Sequence, residues 1–315
     1  MTFLRRGSIH LFRFAGIDLY LHWSWFLLAV IAVSYREGSF SSIGWNSLDY
    51  LALFAIVTMH EYGHALACRQ VGGTPDQIVL WPLGGVAYVN PPQRPGATLW
   101  SIAAGPLVNV ALVPVLLGLA YTGVLLGWAA SMPHVFSFIQ TVNYINLVLL
   151  GFNLLPIYPL DGGQILRSLL WYVVGRARSL QWAVWVGFVG AAGLIAVAIF
   201  AESVWIGLIS AFILMNCWSG LRQAQALARI AKLPRHHNYA CPSCHTAPPV
   251  GQFWICGLCR RPFDMFATRA VCPNCSAHFS TTRCLGCGVL RPMNEWMGEA
   301  PALLITNIAA EADPS

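Results

Sequence analysis

The sequence predicts an all-α polytopic membrane protein of about six transmembrane helices, followed by a small cysteine-rich unit. Three observations carry this reading. Of 315 residues, 57% are hydrophobic and only 10% are charged, against about 25% charged in soluble globular chains. Apolar stretches long enough to cross a hydrocarbon core of about 30 Å recur over the first two thirds of the chain. Most of the cysteines then gather in one later segment. This composition excludes a disordered chain, which needs low hydrophobicity, and a soluble domain, which could not cover so much apolar surface.

In chain order, the expected spans are 17–35, 47–71, 97–127, 135–160, 180–200 and 203–221. The first exceeds a signal-peptide core and is followed by no small-residue cleavage site, so it reads as an uncleaved helix. The third contains Pro106 and Pro114, which predict a kink or a broken end. Cation placement sets the orientation. With the N-terminal arm (1–16) in the cytoplasm, Arg5, Arg6, Arg13, Arg69, Arg94, Arg167, Arg176, Arg178, Arg222, Arg229, Lys232 and Arg235 share that side. Only Arg36 falls on the other. Both termini are therefore expected inside. Beyond the membrane domain (17–221) come a basic linker (222–235), the cysteine-rich unit (236–292) and an acidic tail (293–315) with a short helix expected near 300–310.

Four Cys-x-x-Cys pairs occupy that unit: Cys241/Cys244, Cys256/Cys259, Cys272/Cys275 and Cys284/Cys287. Each pair offers two thiolates from one tight turn, and two pairs complete a tetrahedral four-thiolate zinc site. Consecutive pairing predicts one structural zinc at Cys241, Cys244, Cys256 and Cys259 and another at Cys272, Cys275, Cys284 and Cys287, a tandem zinc ribbon. Disulfides are the competing reading, disfavoured on the reducing side of a membrane. A segment this poor in aliphatic residues is expected to lack a core and to draw its folding energy from zinc. Arg260, Arg261, Arg269 and Arg283 against Asp264 are compatible with nucleic acid without requiring it. A cytoplasmic protein partner is the favoured reading. Cys68 and Cys217, at span ends, read as packing residues.

A different donor set lies within the second span, in His60-Glu61-Tyr62-Gly63-His64. Positions i and i+4 share a helix face, so His60 and His64 can hold one zinc while Glu61 on the adjacent flank reaches its water as a general base. Two imidazoles and a carboxylate inside a lipid-spanning helix are costly unless paired or metal-bound. Asp161, in Asn153-Leu-Leu-Pro-Ile-Tyr-Pro-Leu-Asp161-Gly-Gly163, is the candidate third ligand. The second and fourth spans run in the same direction, which puts Asp161 at the depth of the two histidines. Pro156 and Pro159 should unwind the chain there, and Gly162 and Gly163 let it turn close to the metal.

These motifs, together with Pro82-Leu-Gly-Gly-Val-Ala87, Ala104-Gly-Pro-Leu-Val-Asn109 and a Leu21-His-Trp-Ser-Trp25 start, resemble the site-2 protease family of intramembrane zinc metalloproteases. The resemblance covers roughly 10–220 and is to the compact six-span branch that includes sporulation pro-sigma-factor processing enzymes. It implies His60, His64 and Asp161 as zinc ligands, Glu61 as catalytic base, and a short membrane-associated β-like loop over 81–89 near the substrate path. It also implies a bacterial cell membrane. Gln164 and Tyr62 depart from the residues common in relatives.

The expected activity is zinc-dependent hydrolysis of a peptide bond in or near a transmembrane segment of a single-span substrate, that is, regulated intramembrane proteolysis. Gly84 and Gly85 would pair with an unwound substrate as an added strand. Asn109 and Asn153 would offer amide donors to it. Asn146 shares a face with Asn153 and reads equally as an interhelical bond. His22 reads as a packing residue. The expected metals are three zincs, one catalytic and two structural. The competing function is a proteolytically inactive membrane anchor that presents the ribbon to a protein or nucleic acid.

Overall fold

The computed structural model describes residues 7–34, 43–81 and 84–296. The chain divides into two compact units, at residues 229/230.

In the first unit, five described helices are long and apolar enough to cross a membrane. They are α2 (Ile43–Gln70), α3 (Pro95–Leu125), α5 (Pro133–Leu154), α7 (Arg176–Phe200) and α8 (Val204–Ala231). Two further helices, α4 (Trp128–Ser131) and α6 (Asp161–Val174), are too short to span. The fold is mostly helical and polytopic, but the expected first span is corrected. Its opening residues form the strand β2 (Ile17–His22), and helix begins only at α1 (Ser24–Ser34). The physical reason is a period of two: Ile17, Leu19 and Leu21 are buried while Asp18 and Tyr20 between them are half-exposed. The fourth span is also shorter than expected. Helix α5 stops at Leu154 and a new helix starts at Asp161, because Pro156 and Pro159 cannot continue the ladder. By contrast Pro106 and Pro114 lie inside one continuous α3. The basic linker expected over 222–235 is largely helix, since α8 runs on to Ala231.

A four-stranded sheet accompanies the helices, in the order β1 (Ser8–Phe14), β2, β3 (Thr74–Trp81), β4 (Gly84–Asn90). The β-like loop is thus a hairpin of a larger sheet: β3 pairs antiparallel with β4, and β2 pairs parallel with β3. Ile17, Leu19, Leu21, Ile78 and Leu80 form one apolar face, which packs on Tyr62 and Ala65 of α2. The turn of α2 that carries His60 and His64 is therefore backed by the sheet.

The second unit is built from short pieces: β5 (Trp254–Ile255) with β6 (Pro262–Phe263), β7 (Thr281–Arg283) with β8 (Leu290–Pro292), and a 3-10 turn at Met293–Trp296. It has a core after all, an aromatic one rather than an aliphatic one. Trp254, Phe263, Met265, Phe266 and Trp296 are buried together with five of the paired cysteines. The rings of Trp254 and Trp296 meet Phe266 at 5.2 and 4.9 Å between centroids. The short helix expected near 300–310 lies outside the described residues.

Candidate metal centres

The first centre is assembled by α2, α3, α5 and α6. His60 and His64, one turn apart on α2, bring their Nε2 atoms to 3.1 Å. Asp161 Oδ2, at the start of α6, lies 3.0 Å from His60 Nε2 and 3.4 Å from His64 Nε2. Ligand distances of about 2.0–2.2 Å in a tetrahedron require donor–donor edges of about 3.3–3.6 Å. The observed triangle is close to that, with two nitrogens and one carboxylate oxygen and no fourth protein donor among the described residues. Both imidazoles and Glu61 are buried.

The ring nitrogens facing away from the triangle fix the tautomers. His60 Nδ1 donates to Asn109 Oδ1 at 2.6 Å, and His64 Nδ1 donates to the Ser101 carbonyl at 2.9 Å. Both Nε2 lone pairs therefore point into the triangle. Asn109 is itself held, because its Nδ2 donates to Asn146 Oδ1 at 2.9 Å and Asn146 Nδ2 donates back to the Asn109 carbonyl at 3.0 Å. Asn109, expected to bind substrate, is fully buried and spends its amide on His60. Asn146 makes the interhelical bond. Neither the Ser101 carbonyl nor the use of Asn109 as an imidazole partner was visible in sequence.

Space for an ion is guaranteed by Gly105. A Cβ there would collide with His64 Nε2 and sit 2.8 Å from His60 Nε2, filling the cradle that the three donors surround. The glycine of Ala104-Gly-Pro106 was the available signal. Gly63 serves the approach of the two helices, since a Cβ would meet the Ala104 carbonyl at 2.8 Å.

Asp161 needs a different kind of support, because the chain before it is unwound. Gly162 and Gly163 fold back onto the backbone of residues 154–158, with which a Cβ at either position would collide. Helices α7 and α8 grip the same stretch. Gly187 and Gly220 pack on Tyr158, Gly190 packs on Ile157, and Cys217 Sγ donates to the Tyr158 carbonyl at 3.2 Å. Gln164 Nε2 donates to the Pro159 carbonyl at 3.1 Å, so this departure from the family pattern ties the loop rather than the metal.

The remaining candidates fall as follows. Gly84 and Gly85 open β4, opposite Trp81 and Leu80, on a strand whose other edge is unpaired among the described residues. Asn153 is half-buried on the last turn of α5, and its amide has no hydrogen-bond partner among the described residues. His22 stacks on Trp81 at 3.9 Å and bonds Ser24, a packing role.

The model of Peptidase family M50 matches residues 49–126 and 122–197. Residues 49–197 of this chain carry the M50 peptidase family domain. It resembles a zinc metalloprotease of Methanocaldococcus jannaschii, 34% identical over 57% of this chain and 50% of that one. It also resembles the stage IV sporulation protein FB of Bacillus subtilis, 31% identical over 49% of each chain. The solved site-2 protease of M. jannaschii superposes with a TM-score of 0.51 at 29% identity, over 68% of this chain and 95% of that one. The chain spans about half the length of the two curated relatives. The M50 match ends at residue 197, well before the first Cys-x-x-Cys pair.

The second and third centres lie in the cysteine-rich unit, and their pairing corrects the consecutive scheme. Cys241 and Cys244 meet Cys284 and Cys287, whereas Cys256 and Cys259 meet Cys272 and Cys275. The outer pairs enclose the inner ones. Their Sγ atoms are 3.5–3.7 Å apart, close to the edge of about 3.8 Å that Zn–S bonds of about 2.3 Å impose on a tetrahedron. The reason for nesting lies between the first two pairs. Residues 248–250 run back along the entry strand, with His236 N donating to the Pro248 carbonyl and Val250 N to the Pro234 carbonyl. That route carries the second pair away from the first, while Ala240 N donating to the Trp296 carbonyl draws the first pair to the end of the unit.

Backbone amides prepare the thiols. A hydrogen bond donated by the Arg261 backbone N–H holds the Cys259 thiol down at about 6. Burial would raise Cys244, but bonds from Thr246 outweigh it and leave that thiol at about 7. Cys284 is pushed up by burial and by the Cys244 and Cys287 sulfurs beside it. Four clustered thiols cannot all ionise without a cation among them, which suits these clusters to a divalent metal.

Proposed function

We propose that this chain is an intramembrane zinc metalloendopeptidase that cleaves a single-span membrane protein in or near its transmembrane segment, towards the cytoplasmic end, with its own termini cytoplasmic. The observation that carries the reading is the His60–His64–Asp161 triangle, open at its fourth corner, with Glu61 on the same helix turn. His60, His64 and Asp161 would hold the ion. Bound there, zinc supplies Lewis acidity toward water and the scissile carbonyl.

Each protein group has a separable task. Glu61 takes the proton of the attacking water and delivers it to the leaving amine, base first and acid second. Asn109 and the Ser101 carbonyl keep the two rings in the tautomer that presents Nε2 inward. Asn153 has an uncommitted amide near the metal-bearing loop and is suited to bond the substrate carbonyl as charge develops on it. A helical substrate hides its carbonyls in i→i−4 bonds and must be unwound before attack. The free edge of β4 at Gly84 and Gly85 offers backbone partners to the unwound strand.

The decisive experiment uses full-length protein in proteoliposomes with a single-span substrate. Wild type is expected to cleave it and Glu61→Gln is expected to be inert with its metal retained. Cleavage by Glu61→Gln at the wild-type rate would end this reading.

A further inference from the structure

The cysteine-rich unit carries one turn whose side chains are explained neither by metal binding nor by the core. In the knuckle Cys256-Gly-Leu-Cys259, Leu258 is 78% exposed, and Ile255 just before it is 70% exposed. Ile255 lies opposite Pro262 in the β5–β6 pair, and Pro262 is exposed as well. Arg260 and Arg261 follow directly, both exposed and neither paired with an acidic group among the described residues. The nearest acid in sequence, Asp264, is turned inward and bound by His236 and three backbone amides. The partner knuckle in the same cluster, Cys272-Pro-Asn-Cys275, is polar. Thiolate geometry therefore does not demand an apolar tip.

We infer that the Ile255–Leu258 tip, with Arg260 and Arg261 at its base, is a lipid-docking finger that seats in the anionic surface of the bilayer. Aliphatic side chains enter the acyl boundary while guanidinium groups meet headgroup phosphates, the pattern that holds interfacial segments to membranes. The finger is rigid before it binds. Cys256 N donates to the Arg261 carbonyl at 2.9 Å and Arg260 N to the Cys256 carbonyl at 3.0 Å, so little ordering remains to be done on docking.

Two considerations favour lipid over a protein. The tip presents three apolar side chains and two cations, against the roughly 20–30 residues a side of a stable protein interface. The first residues of the unit that are hydrogen-bonded to its Pro248–Val250 stretch, Pro234 and His236, also lie within five residues of the end of α8 at Ala231, and each linking residue reaches at most about 3.5 Å. A tether of this kind makes docking to the membrane effectively intramolecular, where even a weak anchor is populated. The inference needs only a chain embedded in the membrane, so it stands or falls separately from the peptidase reading.

The test is hydrogen–deuterium exchange of the full-length protein in nanodiscs of phosphatidylcholine alone or mixed with phosphatidylglycerol. Exchange at 255–261 is expected to be at least about fivefold slower in the anionic discs. Leu258→Asp, and separately Arg260→Gln with Arg261→Gln, should return it to the phosphatidylcholine rate. Zinc content and exchange at 263–270 should stay at wild-type values, which separates lost docking from lost folding. Equal exchange in the two lipids would overturn the inference. So would protection that appears only when a soluble protein extract is added, which would assign the tip to a protein partner.

Discussion

The proposed intramembrane centre and the two candidate cysteine centres approach the same problem in opposite ways. In the cysteine-rich unit, four sulfurs close each tetrahedron, and each contributing pair comes from one short turn whose own amides tune its thiols. In the membrane, three donors leave a corner open, and they arrive on two separate elements that must be positioned by the rest of the domain. A closed site built of local turns stores folding energy. An open site built of distant parts exposes a reactive coordination position, and the surrounding fold must stabilise it.

The largest break in that comparison should come from Glu61→Gln. Removing the base is expected to lower peptide cleavage by about 10²–10⁴ or more, read as product formation in proteoliposomes, with three metals still bound. Next, Gly105→Ala should fill the cradle and remove the intramembrane metal alone, so elemental analysis should fall by one equivalent while both cysteine centres stay loaded. A full complement in Gly105→Ala would contradict the cradle geometry. The converse variant, Cys244→Ser, should spare the membrane site and free Cys284 and Cys287 for alkylation while Cys256 and Cys259 remain protected. Consecutive pairing predicts the reverse labelling.

A subtler change is Asn109→Ala. Loss of an imidazole's outer hydrogen-bond partner typically costs 10–100-fold in metal affinity, and a chelator titration should show that drop at the membrane site only. The smallest effect concerns Asp264. Burial would raise its carboxyl, but hydrogen bonds donated by the Gly251 and Ala267 backbone N–H groups and the contact with His236 outweigh it and hold the pKa below the ordinary carboxylate value. Its stabilisation is present above about pH 4 and is lost as pH falls through the lowered value. Asp264→Asn should therefore exchange faster than wild type at Phe266 and Ala267 at pH 7, and the difference should shrink in acid. A difference of constant size would argue against the charge.

Much of the membrane centre was legible because each of its two distant parts carries its own local mark. His60 and His64 share a face by helical period alone, and Pro156, Pro159 and the two glycines mark the broken chain before Asp161. What was not legible depends on tertiary neighbours. Asn109 looked like a free donor until His60 and Asn146 were seen to use both ends of its amide. The strand β2 was hidden because its alternation is short and sits beside an apolar helix, so mean hydropathy overrode period. The nested cysteine pairing was hidden for a related reason: identical Cys-x-x-Cys spacings carry no partner information, and only the return of residues 248–250 along the entry strand decides it.

The grip of Gly187, Gly190, Cys217 and Gly220 on the loop before Asp161 also has a temporal meaning. Those residues leave the ribosome after the histidines and after the aspartate itself. A nascent chain inserted only as far as α6 has all three proposed ligands yet lacks the brace on the loop before the carboxylate. On the proposed peptidase reading, hydrolytic competence is deferred until α7 and α8 have been synthesised and packed.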